Sequence, residues 1–132
     1  MVSNNAADPE SLIFDLDESL GEVGESVTLR RTFGTELMPI DVVCRTVLRG
    51  YQPQELVGEI TQQDQNFILS PTEINNARWP GYFSTQSIGV DARIPRKNDV
   101  IISTRGNLSV QAAAGIYINN VLVRIEGRVR GS

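Results

Sequence analysis

The run Ser26-Val27-Thr28-Leu29-Arg30-Arg31-Thr32 decides the fold class. Val27, Leu29 and Arg31 alternate with Thr28, Arg30 and Thr32, a period of two that sends successive side chains to opposite faces of a strand. A second run, 41–49, carries Val42, Val43, Cys44, Val47 and Leu48 with two arginines and reads as a longer strand, with Gly34 and Pro39 punctuating the join. Further strand candidates are 56–62, 66–70, 99–104, 109–113, 116–119 and 121–130, separated at short intervals by Gly, Pro, Asn and Asp. Six or more short strands in about 105 residues predict a mainly β chain, a small antiparallel β-barrel or sandwich with a short N-terminal helix and one long loop.

Upstream of the strands the period changes. After a polar lead at 1–7, read as flexible, Asp8-Pro9-Glu10 signals a helix start over 8–21. Asp8 is the cap, and proline takes the first position, where a missing N–H costs nothing. Leu12, Ile13, Leu16 and Leu20 form an apolar stripe at helical spacing, and Gly21 or Gly24 ends it. Asp15, Asp17 and Glu18 are close enough to suggest a cation loop, but the central glycine and distal glutamate of an EF-hand are out of position, so they read as a solvated helix face.

The segment 71–98 breaks the strand rhythm. Pro71, Pro80, Gly81, Gly89 and Pro95 interrupt regular structure, while Trp79, Tyr82, Phe83 and Ile88 are too apolar for an idle linker. A helical turn at 72–77 capped by Thr72 is expected within it. Trp79, Tyr82 and Phe83, with the densest basic cluster of Arg93, Arg96 and Lys97, are the candidate loop contacts to a neighbour or to a DNA channel. The plainer alternatives are that Trp79 covers the edge of the domain's own core and that the cations solubilise a turn.

At 132 residues with 40% apolar and 21% charged, the chain is expected to form a single domain, 1–132, with its β body at 26–130. No run approaches the ~18 consecutive apolar residues of a membrane span, and the start lacks a secretory pattern, which predicts a soluble, intracellular protein. Histidine is absent, which excludes histidine-dependent catalysis and removes the commonest nitrogen ligand of zinc. Cys44 is the only cysteine, so no internal disulfide or Cys-x-x-Cys pair exists, and it reads as a small buried hydrophobe.

The net charge of −4 conceals an asymmetry: seven acids and no bases fall in the first 25 residues, and 12 bases stand against 9 acids afterwards. Eleven of those bases are arginine, which suits two-pronged bonds at protein interfaces better than lysine does. A nucleic-acid module would show a stronger basic excess.

No phosphate-binding glycine loop and no nucleophile elbow is present. Gly21-x-x-Gly24 marks a helix end. Glu55, Glu59 and Asp64 are spaced to share a hairpin and read as solvating charges rather than a glycosidase pair. The expectation is a non-enzyme, with no catalytic residues, no metal and no cofactor.

Taken in order, several runs resemble one family. They are Val27-Thr28-Leu29-Arg30-Arg31 after an acidic helix, Arg49-Gly50-Tyr51-x-Pro53-x-Glu55-Leu56-Val57, and Gln62-Gln63-Asp64 leading into Phe67-Ile68-Leu69-Ser70. Then come Trp79-Pro80, Pro95-Arg96-Lys97-Asn98-Asp99-Val100, and the closing Val123-Arg124-Ile125-Glu126-Gly127-Arg128-Val129-Arg130-Gly131. This succession, from Leu12 to Gly131, resembles the small head-completion proteins of tailed bacteriophages and prophages, of the head-closure or stopper type. The stretch 82–93 departs from the family in its greater length.

The resemblance implies a structural virion protein of the neck, without enzymatic activity. It would be made in the host cytoplasm and built into a ring, hexameric or dodecameric, between the portal or its adaptor and the tail, with double-stranded DNA passing transiently through and no membrane partner. A tail terminator or adaptor of the same neck is the near alternative. A small β-barrel nucleic-acid-binding module, using Trp79, Tyr82 and Phe83 as a stacking platform, is the alternative from another class. Because ring subunits meet head to tail through two different surfaces, Arg30, Arg49, Glu55, Arg124, Arg128 and Arg130 are the candidate subunit-interface residues.

Overall fold

A computed structural model of the chain describes residues 8–33, 38–50, 64–81 and 91–131. The lead at 1–7, the strand expected at 56–62, and Glu55, Tyr82 and Phe83 lie outside the described residues. The elements run α1 (Pro9–Val23), β1 (Glu25–Phe33), β2 (Met38–Gly50), β3 (Asp64–Leu69), α2 (Pro71–Ala77), β4 (Val100–Ser103), β5 (Gly106–Ile118) and β6 (Val121–Gly131).

The strands form a closed antiparallel barrel in the order β1-β2-β3-β6-β5-β4. Of the two expected architectures, barrel and sandwich, the barrel is the one present. Closure comes from the short β4, where Val100, Ile101 and Ile102 face Arg30, Leu29 and Thr28 of β1. Over 28–30 of β1 and 106–109 of β5, pairing with β4 satisfies edge N–H and C=O groups that would otherwise invite pairing with another chain.

Alternation sorts the side chains. Val27 and Leu29 of β1, Val42 and Cys44 of β2, Phe67 and Leu69 of β3, Ile101, Val110, Ile125 and Val129 point inward and are buried together. Two irregularities in the β5·β6 ladder leave Gln111 and Val123 as extra residues, so that Val110 and Ala113, and likewise Leu122 and Ile125, can all serve the interior. Gly127 must lack a side chain: a Cβ there would meet the Phe67 ring at 2.6 Å and collide with the Ala112 carbonyl.

Local signals explain the helices. Asp8 caps α1, accepting from the Glu10 amide at 3.2 Å and the Ser11 hydroxyl at 3.0 Å, with Pro9 in the first turn as expected. The helix runs to Val23, two residues beyond the expected end, and Gly24 caps it. It lies outside the barrel over β2, β3, β5 and β6: Leu20 is buried, while Leu12 and Leu16 flank clefts lined by Ile116, Ile118 and Val123 on one side and by Val47 and Ile68 on the other. Since α1 has no base in its last turn, the barrel provides one. Arg45 of β2 donates from Nε to the Leu20 carbonyl at 2.9 Å and from Nη2 to the Gly24 carbonyl at 2.6 Å.

Two expectations are corrected. The runs 109–113 and 116–119 are parts of one strand, β5, which continues through Gly115. The cap of α2 is Ser70, not Thr72, because Pro71 occupies the first helical position and the Ser70 hydroxyl accepts from the Thr72 amide at 3.2 Å. Thr72 instead donates to Asp17 of α1 at 2.7 Å, tying the two helices together. The helical turn expected within 71–98 is present as α2, and the stretch 91–99 is pinned to the barrel through Arg31.

Candidate functional site

At one end of the barrel β1, β3 and β5 finish and β2, β4 and β6 begin. Arg31 continues the inward parity of Val27 and Leu29 there, but at the mouth of the barrel, where a long cationic side chain can reach the loops above the core. It is 2% exposed and grips Asp99, itself 2% exposed, through Nε at 3.0 Å and Nη2 at 2.8 Å. Its remaining donors reach the carbonyls of Ala92 at 2.8 Å and Ile94 at 3.1 Å. Trp79 lies beneath, its ring centroid 4.6 Å from the guanidinium carbon, with its indole N–H donated to the Ile40 carbonyl at 2.9 Å. Asp99 accepts in addition from the Arg96 amide at 2.9 Å. A buried ion pair of this kind persists only when its other hydrogen-bonding sites are also filled, and here they are.

Beside this plug lies a second, more accessible cluster. Asp91 accepts from Arg93 at 2.8 Å and from the Tyr117 hydroxyl at 2.7 Å, and Arg93 donates to the side chain of Asn75 in α2 at 2.8 Å. The Arg93 hydrogen bonds hold the Asp91 carboxyl down at about 2, and burial together with the Asp91 bond pushes the Tyr117 hydroxyl up to about 12. Beyond both clusters Arg78, Arg96 and Lys97 are exposed, and among the described residues no carboxylate pairs with them. Arg78 adopts φ 54, a left-handed conformation at the end of α2.

Arg96 and Lys97 thus stand at the surface, as expected of loop contacts. Arg93 is half-buried and spends its bonds within the molecule. Trp79 is 3% exposed and belongs to the core, so of its two readings the structure supports the one in which it covers the barrel; it is not a surface contact.

The interface candidates separate in the same way. Arg30 pairs across the strands with Asp41 at 2.8 Å on the exposed side, a bond that lowers the Asp41 pKa. Arg49 is exposed at the end of β2. Arg124 is bound to Glu126 two residues on, half-exposed beside α1. Arg128 and Arg130 converge on Asp64, whose side chain is fully buried: Arg130 Nε is 2.6 Å from Oδ1, and Arg128 Nη1 is 3.8 Å from Oδ2. These two arginines therefore neutralise an internal carboxylate, and reversing Arg128 would place like charges beside it.

The residues missed by sequence reading are Arg31, Asp99, Arg45, Asp91, Tyr117 and Arg78. Arg31 had a signal, since it shares the parity of Val27 and Leu29; its partner, 68 positions away, had none. Cys44 is buried, and burial pushes its thiol up to about 12, which leaves it inert at neutral pH. Among the described residues no group of three or more acidic or cysteine side chains could hold a metal ion, and no helix is long and apolar enough to cross a membrane. No family model and no curated protein matches the sequence.

Proposed function

We propose that the chain is a structural subunit of the neck of a tailed bacteriophage, one copy in a ring between the portal or its adaptor and the tail. The observation that carries this reading is a closed six-stranded barrel whose loops at one end are locked by a buried Arg31–Asp99 pair. Such a body keeps its sheet closed on itself. It associates through side-chain faces and loop ends, as a rigid block in a ring does.

The ordered succession of runs resembling head-completion proteins supports the same reading. So does the modest positive charge of the body: each phosphate neutralised adds steeply to affinity, and a wall that held DNA tightly would stall its passage. The nucleic-acid-module alternative loses its one described stacking ring, because Trp79 is buried and Arg31 covers its face.

The test is genetic and direct. Phage lacking the gene should accumulate filled or leaking heads beside free tails, and the purified protein added back should restore joining. Normal particles made without it would exclude the neck role.

A further inference from the structure

Where α1 crosses the β5·β6 hairpin, helix and strands stand apart. A cleft of about 190 Å³ lies between them, walled by Leu12 and Leu16 of α1 and by Ile116, Ile118, Val123 and Arg124 of the hairpin. Apart from Arg124 the wall is hydrocarbon, and a water molecule held there would lack the two to four polar partners it needs. An engineered cavity of ~150 Å³ lined by leucine, isoleucine and phenylalanine takes up benzene, so a cleft of this size and lining suits an apolar body slightly larger than one ring. Ile116, 39% exposed, forms its open rim, and a ligand can enter without displacing α1.

The polar wall group owes its place to an irregularity in the β5·β6 ladder. Ile116 stands opposite Arg124 and Tyr117 opposite Leu122, which leaves Val123 as an extra residue. In a regular strand the side chains of Val123 and Arg124 would point to opposite faces. The extra residue brings both into the same cleft, one apolar and one cationic, side by side. Bulges re-aim side chains in this way, and they recur beside functional sites.

Arg124 is held but not used up. Its Nε donates to Glu126, which fixes the guanidinium, while its two Nη groups have no partner among the described residues. Asp15 and Ser19 of α1 open onto a second cleft, toward Val47 and Ile68. Arg124 borders that side as well and forms no ion pair with Asp15 among the described residues. The charge presented within the Ile116–Val123 cleft is therefore a cation with donors to spare, set against an apolar wall.

We propose that this cleft binds a small monocarboxylic acid with an apolar body, its hydrocarbon against the Leu12, Leu16, Ile116, Ile118 and Val123 side chains and its carboxylate on the Nη groups of Arg124. The planar guanidinium fork matches the two oxygens of a carboxylate. An apolar wall with one orienting polar group is the usual composition of a small-molecule site.

The experiment is isothermal titration calorimetry of the full chain with phenylpropionate and with phenylpropanol, which keeps the ring and loses the charge. Wild type should bind one equivalent of the acid, and the alcohol at least about tenfold more weakly, a difference of about 1.4 kcal/mol. Arg124→Gln should bring the acid down to the level of the alcohol and leave the alcohol unchanged. Ile116→Phe fills the cleft from its rim and should weaken both alike. Circular dichroism matching wild type establishes that each variant folds, and Leu12→Phe, which fills the cleft from the helix side, replaces Ile116→Phe if that variant does not.

No saturable binding up to the solubility of the acid, an alcohol that binds as tightly as the acid, or an acid affinity untouched by either kind of substitution would each overturn the site. So would self-association that the filling variant abolishes and excess acid does not compete with, since the cleft would then belong to a second copy. The neck role neither requires nor excludes this ligand, and particle composition tests it separately.

Discussion

Arg31 and Asp99, 68 positions apart in the chain, form an ion pair with both side chains at most 3% exposed and a closest approach of 2.8 Å. The pair joins the end of β1 to the residue before β4, the two strands whose pairing closes the barrel, so a single electrostatic contact serves both loop placement and closure.

Removing one partner leaves the other buried and uncompensated, which typically costs about 3–5 kcal/mol. Arg31→Ala should therefore lower the urea midpoint by far more than Arg30→Ala, which removes only an exposed, solvent-screened pair with Asp41. Equal effects of the two substitutions would mean that the buried pair is not what closes this end.

Asp91 should leave a signature in acid. Its folded value is about 2, held below the ordinary 3.8 chiefly by the Arg93 bond, so its contribution is fully present above 3.8 and is lost as pH falls through about 2. Asp91→Asn should reduce stability near neutral pH and flatten the decline across that acid window, as read from denaturant midpoints against pH. Tyr117→Phe should cost about 1 kcal/mol and raise the Asp91 value, because it removes one donor to the carboxylate.

Two glycines give opposite expectations for the same chemical change. Gly127→Ala forces a methyl against the Phe67 ring and the Ala112 carbonyl and should destabilise by about 1–3 kcal/mol or more. Gly21→Ala in α1 meets nothing within 4 Å and should stabilise by about 0.5–1 kcal/mol through helix propensity. Calorimetric melting of the two variants checks both signs.

Arg45 links the barrel to α1 by capping its last carbonyls. Arg45→Ala should leave the barrel folded but speed amide exchange in the last turn of α1 and at Gly24. Exchange unchanged there would show that the packing of Leu20 alone seats the helix. Cys44, by contrast, should react with a thiol reagent only on unfolding, because burial holds its thiol near a pKa of about 12.

What the sequence made legible is what neighbouring residues decide. Asp8 and Pro9 start α1 within two positions of each other, and the parity of Val27 and Leu29 needs only local alternation. Barrel closure, by contrast, depends on β1 meeting β4 some seventy residues later, which no local pattern encodes. Trp79 could be read as surface or core until Arg31 was seen covering its face.

The expected break between 109–113 and 116–119 failed for a related reason. Gly115 looks like a strand terminator, yet it faces Ile94 and Leu122, where a Cβ would have no room, and the strand runs on. Arg128 and Arg130 looked free for a neighbour because their acid, Asp64, lies on another strand. The acidic bias of α1 is legible at once, whereas the exposure of Phe14 within it depends on which side of the helix packs on the barrel.

The proposed place of this barrel is as a ring subunit at the junction of head and tail. Electron cryomicroscopy of virions from phage encoding the chain tests it most directly. The neck reading predicts a ring of six-stranded barrels at that junction, each with α1 on its flank. A junction resolved to side-chain detail with every density assigned to other chains would contradict it.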